Sequence, residues 1–225
     1  MVRIFFTLTV FAVALLSANL LLGLFLGDFG ESTWRYANAL NDHKSLQRSD
    51  SATTAEIKAA DQVRRESHAA LVTMQQNFRP HIWLGIIAAL VTVLVNCISV
   101  TYFIGTSRWC REVVDAYGLD WELAERSRRL KRKSFPFAVL GLLTIVGLVA
   151  LGGAADPAGN SSNAAQWVVP HAVMGMLGLA AIAFAFYVQG RAVAANYQVI
   201  QEILAEAHRI RSLPSTHSPI EPIVT

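Results

Sequence analysis

Four stretches of the chain, 4–26, 82–104, 137–155 and 167–188, are mostly apolar and free of Asp, Glu, Lys and Arg. An α-helix needs about 20 such residues to cross a bilayer, so each predicts a transmembrane span. The intervening pattern differs. Within "RSDSATTAEIKAADQVRRESHAALVTMQQNF", Ile57, Ala60, Val63, Ser67, Ala70, Met74 and Phe78 recur at helical spacing, which predicts an amphipathic helix beginning near Thr53 and ending near Phe78. Glu56, three residues after Thr53, predicts a capping box at its start. The face it presents is expected on the membrane surface or at the mouth of the spans. Residues 27–52 read as polar and irregular, with a short helix only at "STWRYANAL".

Past the second span, 105–136 reads as a helical segment with Cys110, Val113, Val114 and Tyr117 on one face. Past the fourth, 189–212 carries Val193, Tyr197, Ile200, Leu204 and Ala207 at alternating steps of four and three. That is a short coiled-coil-like seam, expected to pair with the other helix on the same side. The tail, 213–225, contains three prolines and is expected to be disordered. The whole pattern predicts an all-α integral membrane protein. Its single membrane domain, 1–225, would hold four transmembrane helices in a bundle, with an outer segment 28–80. The order also suits two hairpin units, although the spacing from His81 to Tyr102 and from His171 to Tyr187 drifts.

Charge sets the expected orientation. Residues 105–136 hold eight basic residues, six of them in "RSRRLKRK" (126–133), and 156–166 hold none. Arg3 precedes the first span and Arg191 follows the last. Basic residues flank the cytoplasmic ends of spans, so both termini are expected in the cytoplasm, in a bacterial-type inner (plasma) membrane. The first span is longer than the 7–15 apolar residues of a signal peptide and reads as an uncleaved anchor. The net charge of +3 is a topology signal and a contact for anionic headgroups. Nucleic-acid binding is not expected, because no aromatic residue interleaves the basic cluster. Cys97 and Cys110 are 13 residues apart on one expected helix, too far for a disulfide.

Candidate chemistry rests on a repeated spacing. "RPHIWLG" (79–85) and "VVPHAVMGMLG" (168–178) share Pro-His-x-x-x-Gly. Proline suits the first turn of a helix, so Pro80 and Pro170 are expected to mark the outer ends of spans two and four. His81 and His171 would then lie at one depth. Gly85 and Gly175, one turn on, would open room beside them. Imidazole is a standard axial ligand of haem, so the sharpest expectation is a haem b between His81 and His171, with Gly85 and Gly175 making space. A metal site formed by His81, His171 and His68, with His43 nearby, is a second reading. Packing at the interface is the plainer role for both histidines.

No intramembrane acid or base is present to couple ions, and Asn96 with Thr92 and Thr144 is expected to bond helices together. Ser99 and Ser107 lack a base, so a hydrolase is not expected. Two function classes follow. One is a small haem b electron carrier acting on quinol or an outer-face partner. The other is a non-enzymatic membrane subunit or scaffold, with the lipid bilayer and other membrane subunits as partners.

Overall fold

The computed structural model describes residues 1–25, 29–156 and 163–212. The expected disordered tail and much of the 156–166 connection lie outside these residues. Five α-helices make up the described chain: α1 (Val2–Phe25), α2 (Phe29–Arg48), α3 (Thr54–Tyr117), α4 (Trp121–Ala154) and α5 (Ala164–Ser212). Four of them, all but α2, are long and apolar enough to cross a membrane.

Local signals explain the boundaries. Thr53 and Glu56 close the expected capping box: the Glu56 carboxylate accepts from the Thr53 N–H at 2.7 Å, and Thr53 Oγ1 accepts from the Glu56 N–H at 3.3 Å. At its far end α3 stops on Gly118, whose φ of 59° is left-handed and whose N–H reaches back to Val114 and Asp115 carbonyls. Glycine adopts that conformation without a Cβ penalty. Asp120 then caps α4 by accepting from the Glu122 N–H at 2.9 Å.

Several boundaries differ from the sequence pattern. Residues 29–48 form a full helix, not an irregular segment. Pro80 lies inside α3, which runs unbroken for 64 residues, so the outer helix and the second span are one element. Pro170 likewise lies inside α5, which begins at Ala164. A proline inside a helix costs about 3 kcal/mol. At Pro80 that cost is offset by packing on both sides of it, with Phe78 and Leu71 buried above and Ala88 and Thr92 buried below.

The centre of the fold is the pair α3 and α5. Helix α1 packs against both, α4 packs against both, and α1 and α4 do not meet. From 81 to 100 in α3 and from 171 to 190 in α5, the two helices bury the same positions at nineteen of twenty steps. His81 thus corresponds to His171, Ala88 to Gly178, and Ser99 to Gln189. The main core joins Phe5 and Ala12 of α1 to Val95 and Phe103 of α3, Ile145 of α4, and Ile182 and Phe186 of α5. Large apolar side chains also face outward, among them Phe6, Leu90, Leu94, Leu143, Val146 and Leu177. Helices apolar on every side need an apolar surrounding medium.

A second cluster joins the ends of the same helices, through Cys110 and Val114 of α3, Ala124 of α4, and Val199 and Ile203 of α5. The covered seam of α5 is Val193, Asn196, Val199, Ile203 and Ala207. This is offset from the expected one: Tyr197 and Leu204 face outward, because α5 is gripped by two helices and so buries a wider stripe than a two-stranded seam. Burial pushes the Cys110 thiol above its usual range, opposed by a hydrogen bond to Ser127, so it stays a neutral packing group.

Helix α2 packs against α3 and α5, and it covers the amphipathic face of α3. Leu71 and Phe78 are buried there, while the expected Val63 and Ala70 are exposed. Asp61 lies where α3 meets α2. It accepts from Arg64 at 2.7 Å and Arg65 at 2.8 Å, and His43 of α2 lies 3.7 Å away. The Arg64 hydrogen bond, reinforced by Arg65, holds the Asp61 carboxyl below its usual range. A carboxyl lowered in the folded state stabilises above its unfolded value, and that contribution fades as pH falls through the folded value. Thermal stability should therefore decline in acid, starting near the unfolded carboxylate value of about 4. Asp61→Asn should be less stable than wild type at neutral pH and lose that difference in acid. A constant difference across a pH series of melting curves would contradict the assignment.

Candidate functional site

The two repeated histidines meet. The His81 and His171 rings lie edge to face, with centroids 6.4 Å apart and planes at 79°. Both are partly buried. Phe78, one turn earlier on α3, packs edge-on against His81 at 6.0 Å.

Each histidine ring is seated against a glycine of a neighbouring helix. His81 Nδ1 lies 3.0 Å from the Asn19 carbonyl of α1. A carbonyl only accepts, so Nδ1 carries the proton and Nε2 keeps its lone pair. Four residues further along α1, Gly23 receives the same ring: a Cβ there would stand 2.8 Å from His81 Cε1. His171 repeats the arrangement against α4. It faces the Leu148 carbonyl, although its Nδ1 closes no full hydrogen bond. Four residues beyond Leu148, a Cβ on Gly152 would stand 3.1 Å from His171 Cε1.

The glycines that make room for the imidazoles are therefore Gly23 and Gly152, on other helices. The expected pair has a different environment. Gly85 receives the Asn19 side chain, which a Cβ would meet at 3.1 Å, and Gly175 receives Leu20, at 3.3 Å. Helix α1 fills the space that these two leave.

His68 does not join the pair. It lies 13 residues up α3 from His81, roughly 20 Å along the helix axis, and packs on Tyr36 of α2 with ring centroids 5.3 Å apart. Among the described residues no group of three His, Cys, Asp or Glu side chains could hold a metal ion.

A second polar cluster lies deeper. Gln189 Nε2 donates to Asn96 Oδ1 at 3.1 Å, and Asn96 Nδ2 donates to the Thr92 carbonyl at 2.9 Å. Further along, Asn196 Nδ2 reaches Tyr102 OH at 3.1 Å and Thr106 Oγ1 at 3.0 Å. All of Thr92, Asn96, Gln189 and Asn196 are fully buried. Asn96 does bond helices together, but through Gln189. Thr144 instead packs its methyl group against Gly178. Gln189 escapes the sequence reading because it stands one residue past the fourth apolar stretch, where a polar side chain marks a boundary. These groups are neutral amides and hydroxyls, and their hydrogen bonds join α3 to α5.

Comparison with protein-family models, curated proteins and solved structures returns no match. The functional reading therefore rests on the geometry of the two histidines. Two imidazoles do not complete a coordination shell for a bare metal ion, which takes four or more ligands. They do suffice for a haem, whose macrocycle supplies the other four nitrogens and leaves two axial positions.

Proposed function

We propose that this protein is an integral membrane electron carrier. In this reading α1, α3, α4 and α5 span an inner membrane as a four-helix bundle with both termini in the cytoplasm. His81 and His171 would hold one haem b near the outer face. The observation that carries it is the matched pair of imidazoles at 6.4 Å between centroids. Metal–nitrogen bonds of about 2.0 Å on each side of one ion, added to the half-widths of two rings, give a comparable separation. The Asn19 carbonyl supports it further, since ligating histidines characteristically donate their second N–H to such a partner. The orientation is supported by the basic residues at 105–136 and by their absence from 156–166.

A haem supplies one-electron chemistry at its iron. The chain would supply the two ligands and, at His81, the tautomer that leaves Nε2 free. Loading it requires Asn19 and Leu20 to withdraw from Gly85 and Gly175. Placement near the outer face favours exchange with a quinol or with an outer-face protein.

Purified protein should show a Soret band and sharp α and β bands on reduction. His81→Ala and His171→Ala should each convert the iron to high spin or lose the haem. A colourless protein, isolated from cells that make haem in excess, would refute this reading. It would favour a membrane subunit whose histidines pack the outer ends of α3 and α5. The α2–α3 pair and the cluster around Cys110 and Val199 would then be its contact surfaces.

A further inference from the structure

The basic stretch 126–133 is mostly neutralised within the chain. Arg126 forms a two-pronged pair with Glu202 of α5, Arg128 and Arg132 share Glu125, and Arg129 pairs with Glu122. Lys131 and Lys133 have no carboxylate within ion-pair distance among the described residues, and of the two Lys133 is the exposed one. Arg191 of α5 is also exposed and also without a carboxylate. Its contacts are with Tyr187, whose hydroxyl accepts from it at 3.1 Å and whose ring lies 5.9 Å from the guanidinium carbon.

The two cations lie on facing stripes of adjacent helices. On α4, Lys133 is one turn from Phe137 and two from Arg126. Phe137 packs on Phe184 of α5 with centroids 5.7 Å apart, and Arg126 bonds Glu202 of α5. On α5, Arg191 lies seven residues after Phe184 and eleven before Glu202, which is the same stripe of a 3.6-residue helix. Lys133 and Arg191 are thus bracketed by an aromatic contact on one side and an ion pair on the other. The bend of Arg191 back toward Tyr187 brings its charge closer to the level of Lys133. Two cations on one seam, neither matched by a carboxylate, attract an anion to the surface between them. Beside them the surface turns apolar, with Phe184 and Tyr187 exposed.

We propose that Lys133 and Arg191 form a binding site for the phosphate of an anionic phospholipid, with its acyl chains laid over Phe184 and Tyr187. The proposal rests on the membrane reading above, and it does not depend on the haem. The site stands where the apolar stretches of α4 and α5 end, the depth of a headgroup. Basic clefts between membrane helices are suited to such headgroups.

The test uses the full chain in mild detergent, with bound lipid counted by native mass spectrometry. Phosphatidylglycerol should bind in preference to phosphatidylcholine. K133Q/R191Q should weaken phosphatidylglycerol binding on the order of ten- to thirty-fold, from the loss of two cations near the surface. K133R/R191K, which keeps both charges, should bind as wild type. K44Q/K58Q, which removes the same charge at the other end of the molecule, should also bind as wild type. Millimolar inorganic phosphate should not displace the lipid, because it gains nothing from the aromatic surface. Undiminished binding by K133Q/R191Q would overturn the proposal. An equal loss in K44Q/K58Q would overturn it in favour of bulk charge, and displacement by phosphate in favour of a free-anion site. Release of the protein from membranes by alkaline carbonate would remove the membrane premise itself. A colourless preparation would refute only the haem.

Discussion

Gly141→Ala should be among the most damaging single-methyl changes in this protein. The added Cβ would stand 2.9 Å from both Nδ2 and Oδ1 of Asn96, so flipping the amide brings no relief. Asn96 is fully buried and holds Gln189 across the α3–α5 contact. Moving it strains the packing, at about 1–3 kcal/mol. It also breaks a buried hydrogen bond, leaving polar groups unpaired at about 1–3 kcal/mol more. Together these predict a loss of roughly 2–6 kcal/mol, visible as a marked drop in thermal midpoint. Gly147→Ala is the matched control, since its Cβ would meet only Met174 Cε at an ordinary 3.6 Å. Equal midpoints for the two variants would show that the Asn96 contact is not tight.

Gly23→Ala should act at the histidine pair. Its Cβ would approach His81 Cε1 to 2.8 Å, and the ring cannot retreat without giving up the Asn19 carbonyl or pressing on His171. A cost of about 1–3 kcal/mol is expected from overpacking. The same substitution at Gly105, where a Cβ meets nothing within 4 Å, should stabilise by up to about 1 kcal/mol through helix propensity. Opposite signs from one chemical change would locate the effect in the histidine contact. If haem is present, Gly23→Ala should also alter its spectrum while both ligands remain, and Gly105→Ala should not. A Gly23→Ala protein as stable as wild type would contradict the close packing of His81.

The four apolar helices and the pairing of His81 with His171 could be read from the chain, because they rest on run length and on a repeated spacing. The partners of those histidines could not. Pro-His-x-x-x-Gly draws attention to a glycine on the same helix. What the ring touches depends instead on the register of α1 against α3 and of α4 against α5. A trace of that register is present in the sequence: Gly23 and Gly152 stand near the ends of the first and third apolar stretches, the depth at which a hairpin partner must pass the histidine. The tyrosine landmarks obscured the likeness of α3 and α5. Tyr102 is half-buried and bonded to Asn196, whereas Tyr187 faces outward, so they are not equivalent positions. Burial, which no residue count reveals, restores the correspondence. Helix α2 was missed for a related reason. Its own pattern is weak, and it gains stability from α3 and α5, against which Thr33, Ala37 and Ala39 are buried.

The unbroken course of α3 has a mechanical consequence. At 1.5 Å per residue, 64 residues make a rod about 96 Å long. Its apolar stretch takes up only about 35 Å of that. The remainder forms two unequal lever arms, the longer carrying α2 and the shorter ending at the Cys110–Val114 cluster. With the fulcrum at the middle of the apolar stretch, a ten-degree tilt sweeps the far tip by about 10 Å and the near tip by about 6 Å in the opposite direction. Displacement of α2 is thus geared to the opposite end of α3, with His81 carried on the longer arm about 18 Å from the pivot.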